Sequence, residues 1–207
     1  VPQGDLTTLA NVREFLRLTD ATQNDMDALL SSFITQASDA IKDYCGREFQ
    51  ALSTASQARV FEYRGNGMLY FAPYDLQTCT SIVIDTHTTN PTTLTANEDY
   101  YLKPRNKDAG VWEGIELVGF EPASRSSLNV RRPWREVTVT GVWGFPTVPD
   151  AVRLACNQLV AWLYRQHSTV PGNDLAAQGD RYGAVLMPTS VLALLARYRV
   201  QSFAVGL

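Results

Sequence analysis

Residues Met26 to Cys45 read MDALLSSFITQASDAIKDYC. Apolar side chains fall at Met26, Leu29, Leu30, Phe33, Ile34, Ala37, Ile41, Tyr44 and Cys45. Their spacing by threes, fours and ones lays them along one stripe at 3.6 residues per turn. Asp27, Ser31, Ser32, Gln36, Asp39, Lys42 and Asp43 take the opposite side. The stretch predicts an amphipathic helix with one buried face, stopped at Gly46, where a left-handed cap is easiest. The helix shows no chemistry of its own, so its neighbours decide what the chain is.

Upstream, Leu6 to Leu18 predicts a short helix with Thr8 as its N-cap and Leu9, Val12, Phe15 and Leu16 as its buried face. Thr19 to Asp25 is a polar break, and Thr22 with Asp25 resembles a capping box for the long helix. Downstream the period changes from helical to alternating. Ala58 to Tyr63 and Met68 to Tyr74, separated by Gly65-Asn66-Gly67, predict a hairpin, because Gly and Asn tolerate positive φ. Ser81 to Asp85, Tyr100 to Lys103, Ile115 to Val118 and Glu136 to Val142 predict further short strands, and so a small antiparallel sheet or barrel.

Asp150 is expected to cap a helix running to about His167. Val152, Ala155, Cys156, Leu159, Val160 and Leu163 form its main stripe; Leu154, Ala161 and Tyr164 point nearly the other way, with Trp162 on the flank. Apolar residues on both sides imply more than one packing partner; the first helical pair is one, and a neighbouring subunit is the hypothesis for the second. A loop of low hydrophobicity spans Val170 to Gly183, and Pro188 opens a last helix burying Val191, Leu192, Leu194, Leu195 and Tyr198. An apolar tail, VQSFAVGL, follows. The expected class is α+β: a scaffold of two N-terminal and two C-terminal helices with an inserted small antiparallel β domain. Its parts are residues 1–56, the insertion 57–148, and residues 149–207, the outer two forming one helical domain because neither pair can bury its stripe alone.

Composition narrows the function. A chain of 207 residues can bury roughly 70% of its unfolded surface, so a core without staples is within reach. The net charge of −3 gives no global basic field for nucleic acid. Three cysteines far apart, with no CxxC, argue against a disulfide framework or a zinc site. No apolar run reaches membrane-spanning length, and VPQGDL lacks the basic start and apolar core of a signal peptide.

Three blocks together resemble the head-tail connector (adaptor, or head completion) proteins of tailed bacteriophages, in their longer form with a β insertion. They are LTTLANVREFLRLTD with DALLSSFITQASDAIKDYCGREF, then VPDAVRLACNQLVAWLYRQ after a final strand, then YGAVLMPTSVLALLARYR. The resemblance implies a structural protein of the virion neck, made in the host cytoplasm. It implies a ring, typically dodecameric, between the portal protein and a stopper or tail-completion protein. The ring would extend the DNA channel, with DNA passing the lumen without specific binding and no membrane involved. It also implies a portal-docking segment, here Arg197, Tyr198, Arg199, Phe203 and Leu207.

Cys156 and His167 are eleven positions apart on one predicted helix, about 16 Å along its axis, and cannot touch within it. With two histidines, no HExxH, no GxGxxG and no P-loop, neither metal, cofactor nor catalytic residues are expected. Glu98-Asp99 and Glu113/Glu116 read as solvated charges. Arg125, Arg131, Arg132 and Arg135 form one basic cluster around Trp134, read either as a solvated loop or as an interface patch. With Leu154, Trp162 and Tyr164, residues Arg131, Arg132 and Trp134 are the expected subunit interface. The second predicted helix starts acidic, which excludes a DNA-reading helix–turn–helix. The alternative function is a soluble ligand-binding or hydrolytic domain, in which Tyr70, Tyr74, Tyr100, Tyr101, Trp112, Trp134 and Trp143 stack on a sugar or base.

Overall fold

The computed structural model describes residues 4–18, 24–63, 67–85, 90–106, 110–119, 135–169 and 187–200. The chain is mixed α+β, with four α-helices and two antiparallel sheets among the described residues. It divides into two compact units, Val1–Phe49 with Val148–Leu207, and Gln50–Thr147.

The first unit holds α1 (Leu9–Leu16), α2 (Asn24–Cys45), α3 (Asp150–Thr169) and α4 (Thr189–Leu195), the last running into a 3-10 turn at Ala196–Tyr198. Thr8 caps α1 as expected, its hydroxyl accepting from the Asn11 N–H. The α2 stripe buries Leu30, Ile34, Ala37, Ile41 and Cys45. It faces α3, whose Val152, Ala155, Cys156, Leu159, Val160 and Ala161 are all buried. Helix α3 also packs on α1 and α4, which contribute Val12, Val191 and Leu195 to the core.

Three expectations need correction in this unit. Phe15 is 42% exposed. At 100° per residue Leu9 and Leu16 lie on one flank of Val12, and Phe15 falls alone on the other. Asp150 is the first residue of α3 rather than its cap: the Pro149 carbonyl accepts the Val152 and Arg153 N–H groups, and the Asp150 carboxylate pairs with Arg153 at 2.7 Å. Lys42 is buried instead of solvated, because the chain before α1 covers it. Its ammonium donates to the Gly4 carbonyl at 3.1 Å and lies 3.7 Å from Glu48. The same N-terminal residues are fastened by Leu6 N–H to Ser38 Oγ (2.9 Å) and by Thr7 Oγ1 to Asn157 Oδ1 (2.7 Å). The capping box expected at Thr22 lies outside the described residues.

The second unit is built around one strand. Its seven strands are β1 (Gln57–Tyr63), β2 (Met68–Tyr70), β3 (Leu76–Ile84), β4 (Thr92–Thr93), β5 (Tyr100–Lys103), β6 (Gly114–Leu117) and β7 (Arg135–Trp143). One sheet has the order β1-β7-β3-β4 and the other β2-β6-β5. Central β7 sets Val137 between Phe61 and Ile84, and Val139 between Arg59 and Ile82. Its alternation sends Val137, Val139 and Trp143 into the core. There Trp143 packs on Phe61 and Phe71, with centroids at 5.6 and 5.4 Å, and its indole N–H donates to the Gln57 carbonyl at 2.8 Å.

The hairpin expected across Gly65-Asn66-Gly67 is not formed: β1 pairs with β7, and β2 pairs with β6. β2 stops at Tyr70 because the chain turns at once, Tyr74 N–H reaching back to the Phe71 carbonyl, and Pro73 has no N–H for a ladder. A seven-residue strand then gains more by pairing with the longer β7.

Gly141 of β7 lies where β3 is bulged, and a Cβ there would collide with the Thr78 carbonyl. Gly141→Ala is expected to lower the unfolding free energy by about 1–3 kcal/mol, as overpacking does. Urea unfolding followed by tryptophan fluorescence checks this; a variant as stable as the parent would contradict the packing described.

Candidate docking surface

The exit of α2 is where the two ends of the first unit meet. Gly46 adopts φ +64, and the N–H groups of Gly46 and Arg47 both donate to the Lys42 carbonyl, at 2.8 and 3.3 Å. A helix end leaves its last carbonyls without partners inside the helix. The carbonyl of Cys45 is satisfied from the far end of the described chain, by the Val200 N–H at 2.9 Å.

Side chains strengthen this junction. Tyr198 stands edge-on to the buried Phe49 ring, with centroids 5.8 Å apart. The Arg199 guanidinium lies over the Tyr44 ring at 5.3 Å, and that of Arg197 over the Tyr198 ring at 5.2 Å. Both arginines are exposed, while Tyr198 is half-buried. Arg197, Tyr198 and Arg199 therefore stand together at the α2 exit. Phe203 and Leu207 lie outside the described residues.

The residues expected at a subunit interface are less concentrated. Leu154 is 39% exposed on α3. Trp162 is half-buried on the same helix, and the Tyr164 hydroxyl reaches Met26 Sδ of α2 at 3.7 Å. Arg131, Arg132 and Trp134 lie outside the described residues, as does Arg125.

The aromatic residues of the second unit mostly pack on themselves. Trp143 and Tyr100 are core, and Tyr74 lies under the Arg59 guanidinium at 3.8 Å. A shallow cleft of about 290 Å³ does open beside β5, lined by Asn97, Tyr101, Leu102, Arg105 and Trp112 among others. Arg105 stacks on Tyr101 at 4.3 Å. The carboxylates near it are engaged elsewhere: Asp99 accepts the Thr95 N–H at 2.7 Å, and Glu116 pairs with Lys103 at 2.6 Å. The Lys103 hydrogen bond holds the Glu116 carboxyl below its usual range.

The thiols are packed. Burial pushes both Cys45 and Cys156 up to about 11; Arg47 and Arg199 partly offset the rise at Cys45, as a contact with Ser38 at 3.7 Å does at Cys156. Cys79 is raised too, mainly by burial, and faces the Tyr100 hydroxyl at 3.8 Å. Among the described residues no group of His, Cys, Asp and Glu is arranged to hold a metal ion, and no helix is long and apolar enough to cross a membrane.

Sequence reasoning missed the bond between Val200 and Cys45 and the burial of Lys42 and Ser38. Neither contact leaves a periodic signal, because each joins segments distant in the chain.

A thiol whose pKa is raised on folding supports the native state below its unfolded value, near 9, and withdraws that support as pH climbs through 11. Denaturant midpoints are expected to fall between pH 9 and 11, and to fall less steeply in the Cys45→Ala/Cys156→Ala variant. Equal slopes in the two proteins would contradict the burial assigned to these thiols.

Comparison with known proteins gives a consistent picture. The profile of the head completion protein family matches residues 5–201. No curated protein sequence matches the chain. Among solved structures, a chain in the neck of an empty gene transfer agent particle, computed with C6 symmetry, is similar at a TM-score of 0.54 and 21% identity, covering 96% of this chain and 91% of its own. A chain in the virion of a native gene transfer agent particle is similar at 0.52 and 22% identity, covering 98% and 97%.

Proposed function

The chain belongs to the head completion protein family, and from that premise we propose that it is a structural component of the virion neck. Its copies form a ring, of the twelve typical for such adaptors, between the portal and a stopper or tail-completion protein. The ring extends the DNA channel. The observation that carries this reading is the family match, which runs through both units of the chain. The family is a structural one rather than an enzyme family.

The geometry supports a division of labour. The helical unit is the scaffold, and the β unit is an insertion between its two halves. The junction of Tyr44, Cys45 and Phe49 with Tyr198, Arg199 and Val200 fixes the point from which the tail leaves. That tail, residues 201–207, is the portal-docking element in this reading, together with the exposed Arg197 and Arg199. A net charge of −3 suits a channel wall that lets DNA slide rather than grips it.

Removing residues 201–207 keeps the Val200 bond and tests the tail alone. The truncated protein is expected to keep its circular dichroism spectrum and melting temperature, and to bind the cognate portal at least about tenfold more weakly, a loss of about 1.4 kcal/mol. Undiminished portal binding would remove the tail from the docking role.

A further inference from the structure

Two guanidinium groups at the α2 exit carry their charge without an acid beside them. Arg197 and Arg199 are exposed. Among the described residues no carboxylate pairs with either, and each is held by a ring instead, Arg197 by Tyr198 and Arg199 by Tyr44. Two other arginines of the same unit are paired, Arg13 with Asp27 at 2.9 Å and Arg153 with Asp150 at 2.7 Å. Glu48, just past the helix, lies 3.7 Å from the Lys42 ammonium. Residues 201–207, QSFAVGL, bring no acidic side chain.

The two side chains are also held in place. Their backbone is pinned by the Val200 N–H on the Cys45 carbonyl at 2.9 Å and by Tyr198 against the buried Phe49. Contact with a ring engages the face of a guanidinium and leaves its N–H edge for hydrogen bonds. That edge is a planar fork of donors, and it matches the two oxygens of a carboxylate. A ring that fixes the plane of the fork beforehand reduces the freedom lost when a ligand binds.

We propose that Arg197 and Arg199 are a carboxylate-binding pair, and that they receive an acidic segment of the protein on which the chain docks. The inference rests on the docking reading above and gives that contact its chemistry. Charge complementarity argues for the occupant: two exposed cations without acids of their own call for carboxylates from outside. Nucleic acid fits less well. A phosphate backbone is gripped by many cations at once, whereas there are two here, on a chain of net charge −3. Arginine beside tyrosine is the composition of a protein interface anchor.

The test is binding of the full chain to its cognate portal between about 50 and 300 mM salt, the range over which exposed ion pairs are screened. The parent is expected to bind about tenfold more tightly at the low end. Arg197→Gln/Arg199→Gln is expected to melt as the parent does, to bind about tenfold more weakly at low salt, and to lose most of the salt dependence. Tyr44→Leu, which removes one ring, should weaken low-salt binding about threefold, and Tyr44→Phe should bind as the parent does. A Gln variant that keeps the parent's affinity and salt dependence overturns the inference, and the 201–207 truncation then decides whether the docking reading stands. A Gln variant that melts well below the parent assigns the arginines to the chain's own fold and overturns it as well. A DNA duplex is the control: DNA binding that the Gln variant loses while portal binding persists assigns the pair to phosphate, with the same consequence. Tyr44→Leu binding as tightly as the parent overturns the role given to the ring. A parent that leaves the portal unbound at every salt concentration brings down both readings.

Discussion

The apolar stripe of α2 has to be covered, and the chain supplies most of the cover after residue 148. Leu30, Ile34, Ala37, Ile41 and Cys45 are buried against α3, whose own core residues start at Val152. The contact between Ser38 and Cys156 joins positions 118 residues apart. The N-terminal residues are then tied down by side chains of these same two helices, Ser38 and Lys42 of α2 and Asn157 of α3. The carbonyl left over at the end of α2 is closed by Val200. Each of these contacts requires the helix pair to be in place, so the first unit draws on residues from both halves of the chain.

The second unit answers a similar need with a different element. β7 comes last among its strands in sequence, yet it stands between β1 and β3 and pairs with both. The sheet is therefore completed only when the end of the unit returns to its beginning. Gly141 allows the close approach, and Trp143 packs on both Phe61 and Phe71, which also touch each other. In both units the contacts that close the core are long-range, while the elements themselves are local.

That difference explains what was legible in the sequence. The long helix, its stop at Gly46, the Thr8 cap and the strand at Tyr100–Lys103 follow from periodicity and end signals, which are local. The hairpin reading failed because a Gly-Asn-Gly turn says only that two strands are close in sequence; β7, far downstream, was the better partner. Lys42 falls on the polar side of the helical wheel, which does not contain the segment that covers it. Arg197, Tyr198 and Arg199 stand out through family resemblance alone; the contacts of Tyr198 with Phe49 and of Arg199 with Tyr44 are ones no spacing rule encodes. Arg131, Arg132, Trp134, Phe203 and Leu207 rest on the sequence reading alone.

The chain belongs to the head completion protein family, and its residues 198–200 are held at the exit of α2. We propose that copies of this chain form a layer on a portal. Cryo-electron microscopy of the purified protein, alone and mixed with its cognate portal, tests it most directly. The account predicts rings, or portal particles carrying one added layer into which this fold can be fitted. A monodisperse monomer that leaves the portal bare at saturating concentration would contradict it.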